Sequence, residues 1–186
     1  MPFNFSKKYD FLPILHLDTK QLEVIFETKL LGVFITSDCK WNKNTDYIVK
    51  KTRKRIWILR RLKALGASIE TILDIYQLVI RSVLEISAPL WSGALYKKNI
   101  IEIEKVQKLC FRVILSGKYL CYENSLKTLK QQTLEERRKN LCINFAKKCT
   151  KNPKMSGLFS KRKTMTTRKS RPFIERTTHT KRAFIG

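Results

Sequence analysis

The chain has 186 residues, with Lys+Arg 39 against Asp+Glu 15 and a formal net charge of +24. Its length suits one domain or one and a fraction, and 43% hydrophobic residues supply enough apolar surface for a packed interior. A folded chain this cationic repels itself unless it meets a polyanion, so nucleic acid or an anionic membrane surface leads the partners the composition allows.

No apolar run approaches the roughly 18 residues a membrane span needs. The densest patch, Ile56 to Leu59, is bounded by arginines, so no membrane partner is expected. Met1-Pro2-Phe3-Asn4 lacks a charged head followed by an apolar stretch, so no secretory signal is expected, and the cysteine usage suits a reducing intracellular compartment, nuclear or cytoplasmic. The five cysteines, Cys39, Cys110, Cys121, Cys142 and Cys149, form an odd set without a C-x-x-C pair, which speaks against a disulfide framework or structural zinc. Cys142 and Cys149, on one face of a predicted helix, read as small core hydrophobes rather than metal ligands.

In chain order, residues 12–36 read as extended. Leu12 to Leu17, Leu22 to Phe26 and Leu30 to Thr36 are short runs rich in β-branched or aromatic residues, and Asp18-Thr19-Lys20-Gln21 separates the first two as a hairpin turn. Gly32 lies inside the third run, where glycine weakens a strand unless a backbone or ligand must approach closely. After Trp41 the period lengthens. Val49, Thr52, Ile56, Leu59 and Leu62 share one helical face, and Gly66 is a suitable terminator. Ser68 offers an N-cap to a second helix carrying Ile69, Ile72, Leu73, Tyr76, Val79 and Val83, apolar nearly all round and so expected to be buried, with Pro89 limiting its run.

A third helix is predicted from Asn99 to Leu115, ended by Gly117, with Ile103, Val106, Cys110 and Ile114 inward. A short amphipathic piece covers Glu123 to Leu129. The last helix opens with the capping box Thr133-Leu134-Glu135-Glu136 and buries Leu134, Leu141, Phe145 and Cys149. From Thr150 onward there are eleven Lys/Arg and one acid, Glu175, a composition expected to be flexible on its own.

Eight Lys/Arg fall between Lys50 and Lys63. Lys50, Arg53, Lys54, Trp57 and Arg61 recur at helical spacing opposite the apolar row, a cationic stripe with one aromatic, read as lacking interleaved acids. Phosphates would neutralise such a stripe with counterion release, and an indole could stack on a base or sugar. Lys105, Lys108 and Arg112 form a weaker row beside Glu102 and Glu104. Neither row has a base-reading signature, so the binding expected is to the backbone, without sequence preference.

Chemistry is sparse. There is no phosphate-cradling glycine loop and no Asp-Asp pair, and the isolated aspartates do not suggest two-metal catalysis. His16, Asp18 and His179 have the residue types of an iron-binding triad, but the intervening chain is helical, so no metal and no cofactor is expected.

Lys29-Leu30-Leu31-Gly32-Val33, followed by Ile35-Thr36-Ser37-Asp38-Cys39-Lys40-Trp41, resembles the end of the reverse transcriptase domain of non-LTR (LINE, jockey-like) retrotransposons. The likeness continues through Arg60-Arg61-Leu62-Lys63, Arg81-Ser82-Val83-Leu84-Glu85, Pro89-Leu90-Trp91, Glu104-Lys105-Val106-Gln107-Lys108, Thr133-Leu134-Glu135-Glu136-Arg137-Arg138 and Phe145-Ala146-Lys147-Lys148. It reaches Thr167-Arg168 and Arg176-Thr177, nearly the whole chain, and rests on the order and spacing of the pieces together.

That resemblance implies a primer-grip segment with Lys29, Leu31 and Gly32 as its residues. It implies a thumb after Trp41 that holds an RNA–DNA hybrid or duplex backbone. The family's catalytic aspartates lie upstream of the primer grip and have no counterpart here, which implies a fragment that does not polymerise DNA alone and whose natural partner is a palm domain it lacks. The stretch is also similar to the N-terminal region of the AlkB-homologue tRNA-modifying oxygenase/methyltransferase, without a glycine-rich methyl-donor site.

The expected fold is therefore α+β and mainly α: palm-end strands over 1–41, a helical thumb-like bundle of four or five helices over 42–149 and a basic tail over 150–186. The competing expectation is a helical protein-interaction module without a nucleic-acid role, whose unpaired strand edges favour association.

Overall fold

The computed structural model describes residues 16–156. Its first elements are two small hairpins, β1 (His16–Leu17) with β2 (Lys20–Gln21) and β3 (Glu27–Leu30) with β4 (Val33–Thr36). His16 pairs with Gln21 and Leu17 with Lys20, so the first turn is Asp18-Thr19 alone rather than the four residues predicted. The predicted strand Leu22 to Phe26 does not form. Its Leu22, Val24, Ile25 and Phe26 are all 40% exposed or more, so no face of the segment is buried to set a register.

The run from Leu30 to Thr36 is likewise not one strand. Leu30 pairs with Val33, leaving Leu31-Gly32 as a two-residue turn with both φ angles positive, 48° and 85°. Such a turn matches the twist of the flanking strands. Gly32 is there for that angle and not for close approach, since a Cβ added to it would meet nothing within 4 Å. Leu31 has no such freedom, and a left-handed L-residue costs about 1–2 kcal/mol. Leu31→Asn is expected to stabilise the hairpin by about 1 kcal/mol, read as slower amide exchange across β3 and β4.

The helices then follow the apolar spacing. α1 (Asn42–Ala64) buries Val49, Thr52, Ile56 and Leu59, with Leu62 half-buried. It ends as predicted on Gly66 at φ 78°. The Ala67 N–H donates to Leu62 C=O at 3.0 Å and the Gly66 N–H to Lys63 C=O at 3.1 Å, the paired bonds of a Schellman cap. Ser68 caps α2 (Ile69–Ile75) by accepting from the Thr71 N–H at 3.2 Å.

α2 continues through a wider π turn, Tyr76–Arg81, into α3 (Ser82–Glu85). Steps of four residues drift around a helix of 3.6 residues per turn, and the wide turn takes up that drift. Ile72, Tyr76, Ile80 and Leu84 therefore stay in line and fully buried, where the regular spacing favoured Val79 and Val83, which are half-buried. The helix is not apolar-buried all round either: Leu78 is 70% exposed.

Ser87 at φ 51° breaks the chain before α4 (Ala88–Trp91), whose first turn holds Pro89. Trp91 is fully buried, and its indole N–H donates to Ile86 C=O at 2.8 Å. α5 (Lys97–Leu115) buries Ile103, Val106, Cys110 and Ile114 as the spacing required; its end is set by Ser116 at φ 49°, with Gly117 in the short turn that follows. α5 runs beside α1 in the same direction. Asn99 Nδ2 donates to Asn42 Oδ1 at 2.7 Å near one end, and Lys63 Nζ to Ile114 C=O at 3.2 Å near the other.

α6 (Tyr122–Thr128) is capped by Cys121, and α7 (Leu134–Lys151) starts on the predicted reciprocal capping box between Thr133 and Glu136. α7 buries Leu134, Cys149 and Arg138, while Phe145, expected inside, is 47% exposed. α7 runs on to Lys151 and α8 covers Pro153–Ser156, so the first part of the predicted tail is helical; the rest lies outside the described residues. The whole is mainly helical with two small antiparallel hairpins, the α+β class expected.

At the centre is a hydrogen-bonded polar group. Gln107, 1% exposed, accepts from the Tyr76 hydroxyl at 2.5 Å and donates to the Tyr122 hydroxyl and Gln132 C=O, each at 2.9 Å. Tyr122 in turn donates to Glu104, which also accepts from the Leu134 N–H at 3.2 Å. This group ties the π turn after α2, α5, α6 and the start of α7 together.

Candidate nucleic-acid interface

Burying one face of α1 fixes what its other face presents. Lys50, Arg53, Lys54 and Arg61 are exposed, and Trp57 among them is 60% exposed. Arg60, three residues after Trp57, joins them on the same side; helical spacing alone would have found it. The other cations of the run are used differently. Arg55 donates to Val79 C=O at 2.8 Å and Lys63 to the end of α5, so both serve the packing of the bundle. Lys51 lies 5.8 Å from the Tyr47 ring.

The stripe is not free of acids. Asp46 lies four residues before Lys50, although no ion pair joins them among the described residues. From α5, Glu102 reaches across to Arg53 at 3.2 Å and also takes Lys105 at 2.7 Å. Lys105 first and Arg53 after it hold the Glu102 carboxyl below the ordinary carboxylate range. Lys50, Lys54, Arg60 and Arg61 have no carboxylate partner among the described residues. The three cations predicted on α5 are each engaged: Lys105 with Glu102, Lys108 over the Tyr122 ring at 4.8 Å and Arg112 over Tyr119 at 5.4 Å. The α5 row is thus engaged within the fold, and of the two rows the cations without a carboxylate or ring partner among the described residues are those of α1.

The three grip-like residues sit on the second hairpin, which packs on the start of α1. The Phe34 N–H donates to Asn44 Oδ1 at 3.2 Å, and the Phe34 and Tyr47 rings meet edge to face at 4.9 Å. Lys29 donates to the Tyr47 hydroxyl at 2.9 Å, which pulls that phenol below its usual value. Leu31 is 89% exposed at the tip, and Gly32 beside it faces open space. Tyr47 precedes Lys50 by one helical turn, so Lys29 borders the stripe while Leu31 and Gly32 project away in the turn.

Between hairpin and helix the chain is pinned by Asp38. Its carboxylate accepts from the Thr36 hydroxyl at 2.7 Å and the Lys40 N–H at 3.0 Å, and pairs with the Lys40 ammonium at 3.0 Å. The Thr36 hydroxyl above all, then Lys40, lowers its pKa from 3.8 to about 2. A depressed carboxylate stabilises the fold above its unfolded pKa and loses that effect as pH falls through its folded one. The junction should therefore be intact above about pH 4 and loosen below it. The Lys40 amide resonance should titrate with a midpoint near 2 rather than 3.8, and Asp38→Asn should abolish that step.

Among the described residues no group of three His, Cys, Asp or Glu side chains could hold a metal ion. His16 is exposed on β1 and Asp18 forms the adjoining turn, while His179 lies outside the described residues. Cys110 is buried, and burial pushes its thiol up to about 12; burial also raises half-buried Cys142. No helix among the described residues is long and apolar enough to cross a membrane. No family model, no curated protein and no solved structure matches the chain.

Proposed function

We propose that the chain binds nucleic acid through its sugar-phosphate backbone, without sequence preference, as the thumb of a non-LTR reverse transcriptase holds a template–primer. The observation that carries this is the solvent-facing side of α1, where Lys50, Lys54, Arg60 and Arg61 surround an exposed Trp57. Cations without a carboxylate partner lose little on meeting phosphate, and each releases counterions. The indole adds a surface on which a sugar or unpaired base can lie. The chain contributes grip and no chemistry of its own.

Affinity for an RNA–DNA hybrid should fall with rising salt with a log–log slope of about −3 to −4, matching four phosphate contacts. A slope near zero would overturn the reading. Purified chain mixed with a primed template, nucleotides and Mg²⁺ should give no extension product.

The exposed apolar residues of the hairpin region favour a second reading. Leu17, Phe26, Leu30 and Leu31 are 65%, 61%, 58% and 89% exposed, which suits a protein surface such as a palm domain. As a pure interaction module the chain would associate in a manner insensitive to salt, so the same titration separates the two.

A further inference from the structure

A groove of about 510 Å³ runs between α7 and the α3–α4 corner, and it shares no residue with the stripe of α1. Its apolar wall is Pro89, Leu141 and Phe145, and Lys147, Lys148 and Lys151 stand along its lip. Phe145 is out of place for an isolated helix face: a large ring, 47% exposed, one turn from half-buried Leu141. The acid that also lines the groove, Glu85, is already satisfied by Arg137 at 2.5 and 3.1 Å, so it does not oppose an incoming negative charge. Apolar wall and cationic lip together ask for a ligand that is apolar on one side and acidic on the other.

We propose that this groove docks an acidic amphipathic helix from another protein. Charge selects that occupant over the nearer ones. Residues 157–186 carry nine Lys/Arg and Glu175 as their one acid, and residues 1–15 carry Lys7 and Lys8 against Asp10. A second copy brings a net charge of +24 to a lip of lysines. Nucleic acid satisfies the lysines and can stack on the Phe145 ring but leaves Pro89 and Leu141 with little to bury against, whereas a helix with apolar anchors at i, i+3, i+4 and i+7 fills the wall while its acids meet the lip.

The test uses the full chain and a labelled synthetic peptide of about 18 residues, long enough to become helical, with leucines on one face and glutamates on the other. In about 0.1 M salt, fluorescence anisotropy should show saturable binding. Phe145→Asp, and separately the pair Lys147→Glu and Lys148→Glu, should each weaken binding by about tenfold or more. All three changes are on exposed positions, and circular dichroism should show unchanged helix content. The changes Lys50→Glu, Lys54→Glu and Arg61→Glu should leave peptide affinity unaltered even where they remove hybrid binding, so the two interfaces stand or fall separately. The proposal is overturned if the peptide does not bind, or if a scrambled peptide of the same composition binds equally. It is also overturned if the groove variants bind like the parent, if the lysine pair affects only hybrid binding, or if Phe145→Asp abolishes a concentration-dependent dimer.

Discussion

Changing Lys50, Lys54 and Arg61 together to Glu should lower hybrid affinity by about three to four orders of magnitude at about 50 mM salt and flatten the salt dependence. Three phosphate contacts at a slope of about −0.9 each correspond to that loss when extrapolated to about 1 M salt, where the electrostatic contribution vanishes. The positions suit the experiment because all three side chains are exposed and none contributes a hydrogen bond to the packing of the bundle among the described residues. Arg61 does lie in the last turn of α1, so its replacement by an acid costs about 0.5 kcal/mol against the helix dipole, too little to unfold the chain. Arg55 and Lys63 form the internal control. They belong to the same basic run, but their bonds to Val79 and Ile114 predict a change in stability and little change in the salt slope. Unaltered hybrid affinity in the triple variant would end the α1 proposal.

The second large effect is expected at Gln107. Gln107→Leu keeps the volume but removes one acceptor and two donors from a site that is 1% exposed. The Tyr76 hydroxyl and Gln132 C=O are then left without the partner they had, and Tyr122 keeps only its bond to Glu104. A buried group that loses its partner costs about 1–3 kcal/mol, so a total near 3 kcal/mol is expected. For a chain of this size that lowers the melting midpoint by about 10 °C. Gln107→Glu should behave differently from Gln107→Leu, since it can still accept from Tyr76 while placing a second carboxylate near Glu104. Thermal unfolding of the two variants side by side measures the acceptor separately from the donors.

What the sequence disclosed and what it hid divide along physical lines. Caps are local chemistry, and Ser68, Gly66 and the Thr133–Glu136 box all act as their residue types demand. Long periodic rows are equally legible, as in Ile103, Val106, Cys110 and Ile114. The stripe on α1 follows from the same periodicity, because the face opposite a buried row has nowhere to go but outward.

The failures arise where a choice is made by something distant. Leu22 to Ile25 is hydrophobic enough for a strand but pairs with no strand among the described residues, and of the predicted run only the Phe26 C=O joins the ladder, accepting from the Ser37 N–H at 2.8 Å. Leu31 occupies a turn position that its side chain disfavours, so no residue preference marks it. Arg138 is 1% exposed in the core, its guanidinium 6.0 Å from the Trp91 ring, a placement that charge alone argues against. Glu102 touches Arg53 across 49 positions of sequence, and no local pattern could announce that.

That last contact bears on what the α1 surface could distinguish. A lone anion arriving at Arg53 would compete with a carboxylate that already pairs with it and is shared with Lys105. A long polyphosphate strand would be held first at the unoccupied cations and would then present its next charge to Arg53 at high local concentration. Glu102 would thus act as a length gauge, making mononucleotides and very short oligomers poor competitors while costing an extended strand little.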